Sequence, residues 1–147
     1  MKIIIAFLLT IIFIIFMGCK SCDNYPKDFF VSVGSGGGAT GMWSGYLLDS
    51  NGTVFKWQGR QQDENPMEYQ KLPKDRIKSI WTSIKQKNLL ETLFKEPGNM
   101  SKIISIGYDG KKNTIIWGNN PTDSVSSKFN ELYNFIYEIL EKKENKK

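Results

Sequence analysis

The chain has 147 residues, 20 basic and 15 acidic side chains, two cysteines and no histidine. That length fits one domain, and the missing imidazole excludes Ser-His-Asp and Cys-His catalysis, HExxH zinc chemistry and histidine-ligated haem. Two cysteines build no disulfide framework, and no residue spacing marks a catalytic centre, a metal site or a cofactor site.

The first segment reads as an address, not as part of the fold. Met1-Lys2 carries one positive charge, and Ile3 to Met17 then runs without a charged residue. Such a run is shorter than the roughly 20 residues a helix needs to cross a bilayer. A charged start, a short apolar stretch and a small residue at the end describe an export signal over residues 1–18. Its close, Phe16-Met17-Gly18-Cys19, resembles the lipobox of bacterial lipoproteins. It departs from that pattern at Phe16, where leucine is commonest, and at Met17, where alanine or serine is usual. The resemblance implies cleavage between Gly18 and Cys19 and a diacylglycerol on the Cys19 thiol. The protein would then be exported to the bacterial cell envelope and anchored to a membrane through that lipid. Two or more acyl chains give stable anchoring where one gives only marginal binding. Cys22 is left over in the polar Lys20-Ser21-Cys22-Asp23-Asn24. A Cys19/Cys22 redox pair would need a strand-to-helix setting that this tether does not supply.

Beyond the leader, residues 19–27 read as a lipid-anchored tether, 28–141 as a single domain and 142–147 as a charged tail. Part of the net charge of +5 sits in leader and tail, which leaves no basic surplus pointing to nucleic acid. Phe29 to Val33 is β-branched and aromatic, a strand pattern. Six glycines between positions 34 and 45 then suggest a flexible or bulged connection. Met42 to Leu48 and Thr53 to Trp57 form a hairpin around Asp49-Ser50-Asn51-Gly52, since Asn-Gly tolerates positive φ. Gly59 to Lys71 has no periodic pattern and reads as a long surface loop. A helix begins near Pro73, with Ile77, Ile80, Trp81 and Ile84 forming one apolar stripe. After the Pro97-Gly98 break, Lys102 to Tyr108 and Asn113 to Trp117 form a second hairpin around Asp109-Gly110-Lys111-Lys112. A last helix opens at Pro121-Thr122-Asp123 and carries Val125, Phe129, Leu132, Tyr133, Ile136, Ile139 and Leu140 on one face.

This order predicts an α+β fold. An antiparallel sheet of about five strands, in ββ(β)α-ββα order, packs both helices on one face and leaves the other open. An open sheet face and a glycine loop make a candidate interaction surface of Gly36, Gly37, Gly38, Thr40, Trp43 and Tyr46. Tryptophan and tyrosine are frequent interface anchors, although ordinary packing accounts for aromatics as well. The loose GxGxxA from Gly34 precedes a strand instead of a helix, so it does not read as a phosphate loop. Asp49-Ser50-Asn51-Gly52 starts like a calcium loop, but Arg60 stands where its last acidic ligand belongs. Asp63, Glu64 and Glu68, in a loop with Gln61-Gln62, read as a solvated surface.

The segment Ser35-Gly36-Gly37-Gly38-Ala39-Thr40-Gly41, followed by a hairpin, a helix, two strands and a helix, resembles the emfourin-type proteinaceous inhibitors of metalloproteases and related bacterial domains. Those carry a Gly-Gly-aromatic-small-Gly segment, and here Gly38 replaces the aromatic. The resemblance implies that the glycine loop approaches a protease, with Trp43 as a contact. The leading expectation is a non-catalytic domain that binds an envelope protein or other ligand, and the alternative is a protease inhibitor using the same loop.

Overall fold

The computed structural model describes residues 25–118 and 124–143. The expected signal, Cys19, Cys22 and the Pro121-Thr122-Asp123 start of the last helix lie outside them. The strands are β1 (Phe30–Gly37), β2 (Met42–Leu48), β3 (Thr53–Gly59) and β4 (Met67–Lys71), followed by helix α1 (Lys74–Gln86). The chain continues through β5 (Lys95–Glu96), β6 (Met100–Tyr108) and β7 (Lys111–Gly118) to helix α2 (Ser124–Glu141). The α+β class is as expected, but the sheet has seven strands in the order β4-β3-β2-β1-β6-β7-β5.

Three differences have physical causes. First, β1 runs on through Gly37, so four residues of the expected glycine connection are sheet. Pairing with β2 on one side and β6 on the other holds them extended despite the glycines. Second, the expected loop from Gly59 to Lys71 ends in β4. Its last five residues pair with β3 across a bulge at Val54/Phe55, which interrupts the alternation a sequence reading looks for. Third, the sheet is not wholly antiparallel, because β5 lies parallel to β7. The chain leaves α1, runs along the β7 edge and turns back into β6, so the β6–β7 hairpin fills the space between.

The turns follow local chemistry. Asp109 and Gly110 have φ of 48° and 70°, the pair of left-handed residues that a two-residue hairpin demands. The Asp28 carboxylate accepts both of their N–H groups, at 3.0 and 2.6 Å. In the β2–β3 turn the Asp49 carboxylate accepts the N–H groups of Asn51 and Thr53, so the residue that looked like a calcium ligand is a turn cap.

Alternation splits the sheet into two faces. Val31, Val33, Tyr46, Leu48, Val54, Ile104, Ile106, Ile115 and Trp117 point to one face and meet Ile77, Ile80, Trp81 and Ile84 of α1. Phe129, Leu132, Tyr133, Ile136 and Leu140 of α2 complete that core. The first predicted stripe is buried as read; of the second, Phe129, Leu132, Tyr133, Ile136 and Leu140 are buried and Ile139 is partly buried. The second face holds a different device. Three aromatic residues stand directly across from glycines: Phe30 from Gly107, Trp43 from Gly36, and Trp57 from Gly45. A Cβ at Gly34 would come within 2.5 Å of the Trp57 ring, and one at Gly45 within 2.7 Å. Each ring thus occupies the room that a missing side chain leaves.

This arrangement predicts two different costs for one kind of substitution. At Gly107 only the Phe30 ring stands in the way, whereas at Gly45 the Val33 carbonyl oxygen and the Gly34 backbone also do. Gly107→Ala should cost about 1–3 kcal/mol by overpacking and become nearly neutral when Phe30 is Ala. Gly45→Ala should stay severe whatever residue 57 is. Urea denaturation of the single and double variants measures both.

A second expectation concerns pH. Tyr46, Tyr69, Tyr137 and Tyr133 form a chain of ring contacts 5.2–5.6 Å apart beneath and beside α2. Burial, aided by neighbouring tyrosines, pushes the Tyr46 phenol up to about 12. Burial likewise raises Tyr133 to about 12, against the opposing pull of its hydrogen bond with Ser35, and raises Tyr137. An unfolded chain ionises its phenols near pH ~10, so above that pH it releases protons that the folded chain keeps. Stability should be insensitive to these phenols below pH ~10 and fall from there towards pH ~12, with late phenolate absorbance. A urea midpoint that does not move over that interval would contradict the assignment.

Candidate functional site

The expected open face is closed. The β3–β4 connection, residues 60–66, folds back over the glycine side of the sheet. The Ser32 hydroxyl of β1 donates to the Asp63 carboxylate. The Ser105 hydroxyl of β6 donates to Gln62 Oε1 at 3.0 Å and stands 2.9 Å from the Thr114 hydroxyl. Glu64 holds the loop's own start, its carboxylate accepting the N–H groups of Arg60 and Gln61 at 2.6 and 3.0 Å. Asp63 and Asn65 take φ of 60° and 50°, a region that short polar side chains tolerate. Ser32, Ser105 and Trp57 are consequently fully buried. Of the acids read from sequence as a solvated surface, Asp63 and Glu64 therefore form a clasp, and Glu68 stays exposed on β4.

Trp57 Nε1 and Gln62 Nε2 lie buried beneath the loop.

What remains free is one end of the sheet. β1 ends at Gly37, and Gly38, Ala39 and Thr40 form a single 3-10 turn before Gly41. Gly37 has φ of 103°, and a Cβ there would meet the Asn99 carbonyl oxygen at 2.6 Å. The same carbonyl accepts the Gly38 N–H at 2.6 Å, and the Thr40 side chain accepts the Met42 N–H at 3.3 Å. The tip is therefore fixed at its base and exposed at Ala39, Thr40 and Gly41. Met42 and Met100 both pair with Gly37, one from each side, and Met67 pairs with Lys56. These three methionines are 38%, 44% and 68% exposed. Met42 and Met67 border a shallow groove of about 720 Å³ that Lys56, Gln58, Glu64 and Pro66 also line. Register places Met42 and Met100 beside Gly37, whereas Met67 pairs with Lys56 at the level of Val33 and meets Met42 only across the groove; no sequence signal joined them.

The residues expected to form the interaction surface separate accordingly. Gly37, Gly38 and Thr40 lie at the tip. Gly36 is buried within β1 beneath the Trp43 ring, and Trp43 is half-buried. Tyr46 is 4% exposed and belongs to the helix-side core, with its ring 5.2 Å from Tyr137. It is removed from the surface because an odd spacing of three from Trp43 puts the two on opposite faces. Gly18 and Cys19 lie outside the described residues.

One polar constellation lies beside this end. Lys102 Nζ donates to Asn130 Oδ1 at 2.8 Å and sits 4.9 Å over the Tyr133 ring. Trp117 Nε1 donates to the same Asn130 oxygen at 3.3 Å. Burial lowers the Lys102 pKa, but its ammonium is engaged in tying α2 to β6. Among the described residues no three His, Cys, Asp or Glu side chains gather to hold a metal. Neither described helix is long and apolar enough to cross a membrane. No protein-family model and no curated protein matches the chain.

The clasp yields an expectation of its own. Asp63→Ala leaves the buried Ser32 hydroxyl unpaired and should cost about 1–3 kcal/mol. Because the loss falls on a surface loop, it should show as faster tryptic cleavage after Arg60 and a red shift of Trp57 emission, with the helical circular dichroism unchanged.

Proposed function

We propose that this protein is a non-catalytic binding domain of the bacterial envelope, anchored to a membrane by lipid on Cys19, which grips an envelope polypeptide with its hairpin tip and methionine rim. The observation that carries this reading is the exposure of Met42 and Met100 on either side of Gly37, with Met67 across the groove that Met42 borders. Thioether side chains are unbranched and polarisable and adapt to partners of varied shape. Beside them β4 supplies an unpaired strand edge, to which an extended segment can add by main-chain hydrogen bonds. The lipid anchor is supported by the sequence Phe16-Met17-Gly18-Cys19 alone.

A second reading, a protease inhibitor of the emfourin type, draws on the tip itself. The backbone of Gly37 and Gly38 is held against Asn99, and a loop already in its bound shape loses little entropy on entering a cleft. Trp43, half-buried at the base of the same hairpin, is the aromatic nearest in sequence to such a contact.

Capture from an envelope extract separates these. Met42→Ser with Met67→Ser should reduce recovery of the partner about tenfold or more, since losing two such contacts removes over 1.4 kcal/mol. Undiminished capture by that double variant would refute the methionine rim. Slowing of metalloproteases at stoichiometric amounts, abolished by changes at Thr40 and Trp43, would select the inhibitor reading. Labelled palmitate should enter the wild-type chain and not Cys19→Ser.

A further inference from the structure

The anchor reading fixes one end of the molecule, and the charge distribution at that end has a direction. β1 starts beside Tyr25 and Lys27 and ends at the hairpin tip. At roughly 3.3 Å per residue its length separates the two ends by about 23 Å. Five residues, 20–24, lie between Cys19 and Tyr25, a reach of at most about 22 Å even fully extended. A lipid on Cys19 would therefore hold the Tyr25 end close to the bilayer.

That end carries a basic groove. Tyr25, Lys27, Ser50, Asn51, Lys74, Asp75 and Lys78 line a cavity of about 740 Å³ between the N-terminal segment and α1. Lys74 and Lys78 are one helical turn apart and exposed on the same side of α1. From Lys71 to Lys87 the chain has six basic residues and a single acid, Asp75. Of the other acids at this end, Asp28 caps the Asp109-Gly110 turn and Asp49 caps the β2–β3 turn, while Asp109 sits within the turn that Asp28 caps. Tyr25 is half-buried, with its ring 5.9 Å from Phe29, so an apolar body is fixed to the core while the phenol edge meets solvent. Tyrosine and lysine in that arrangement suit the headgroup layer, where one side is wet and the other apolar.

We infer that the groove formed by Tyr25, Lys27, Lys74 and Lys78 is a docking surface for anionic phospholipid headgroups, which seats the domain on the bilayer with its hairpin tip pointing away. The inference rests on the membrane placement proposed above, but its test does not require a natural lipid on Cys19. Each lysine near an anionic surface contributes roughly a fivefold gain in binding, and the short tether supplies the high local concentration that makes so weak a contact persistent.

Every core residue lies between Phe29 and Leu140, so a chain begun at Lys20 keeps the whole fold and retains Cys22 as its one thiol. Coupling Cys22 to a maleimide lipid tethers that chain to vesicles of phosphatidylcholine, with or without phosphatidylglycerol. A membrane-impermeant amine-acylating reagent then reports the exposure of each lysine by mass spectrometry. On anionic vesicles Lys27, Lys74 and Lys78 should react about fivefold more slowly than on neutral ones, while Lys56 and Lys95, level with Val33 and Gly34 and so roughly 10–13 Å further along the strands, keep their rates. At about 1 M salt, where charges are screened beyond ~3 Å, the protection should vanish. Uniform protection of all lysines, protection on neutral vesicles alone, or the same protection by inorganic phosphate without vesicles would each overturn the inference. Failure of palmitate labelling at Cys19 would overturn the natural anchor and leave this result standing.

Discussion

The fold depends on the absence of side chains at Gly34, Gly45 and Gly107. A sheet face lined with Cβ atoms could not accept indole and phenyl rings lying against it. Here the missing atoms open spaces that the rings of Trp57 and Phe30 fill. Trp57 then ends fully buried on the side of the sheet that has no helix, and the 60–66 loop closes over it through Asp63, Gln62 and Glu64. Tertiary pairing also offsets the intrinsic reluctance of glycine to stay in a strand, because β1 is hydrogen-bonded along both of its edges. The glycine-rich stretch is thus the central strand of the sheet.

Closing both faces leaves interaction surface only at ends and edges. One edge is covered: the Asn113 side chain donates to the Leu89 and Thr92 carbonyls and the Ile116 N–H to that of Phe94, which straps the segment after α1 along β7. The other edge, β4, carries no such strap. At the ends, the polarity of β1 separates a lysine-lined groove near Tyr25 from a methionine rim near Gly37. Charge and apolar exposure are segregated along one strand axis, which is the arrangement expected of a domain that faces a polar layer on one side and a polypeptide on the other.

Legibility from sequence followed the range of the interactions. Helix stripes rest on spacings of three and four residues within one segment, and Ile77, Ile80, Trp81 and Ile84 are buried as that spacing requires. The Asp109-Gly110 turn is equally local. What escaped was carried by long-range pairing. β4 is hidden by its own bulge, where Tyr69 is the extra residue, and the continuation of β1 through Gly37 is stabilised by β2 and β6 and not by its own residues. The clasp joins Asp63 to Ser32, 31 positions away, and nothing in Gln61-Gln62-Asp63-Glu64 announces a partner on the central strand. Among the candidate surface residues, Tyr46 was misplaced for a local reason that sequence does contain, since its spacing from Trp43 turns it to the helices. Met42 and Met100 were invisible as a pair because register alone joins them across Gly37, and Met67 because only the fold brings it to the groove beside Met42.

The missing histidine bears on this division of labour. Without imidazole, acid–base work near neutral pH would fall to a desolvated carboxylate or lysine in an accessible cleft. The side chain closest to that description, Lys102, is spent on Asn130 and the Tyr133 ring, and Asp63 is spent on Ser32. The polar groups buried in this domain hold α2 and the clasp in place, whereas those left free, Lys27, Lys74 and Lys78, sit on a groove without a reactive neighbour. The described desolvated polar groups are committed to holding elements together, and exposed lysines and methionines lie apart along the strand axis. Under the proposed reading, the sheet would be a spacer that links the lysine groove to the tip through the rigidity of β1.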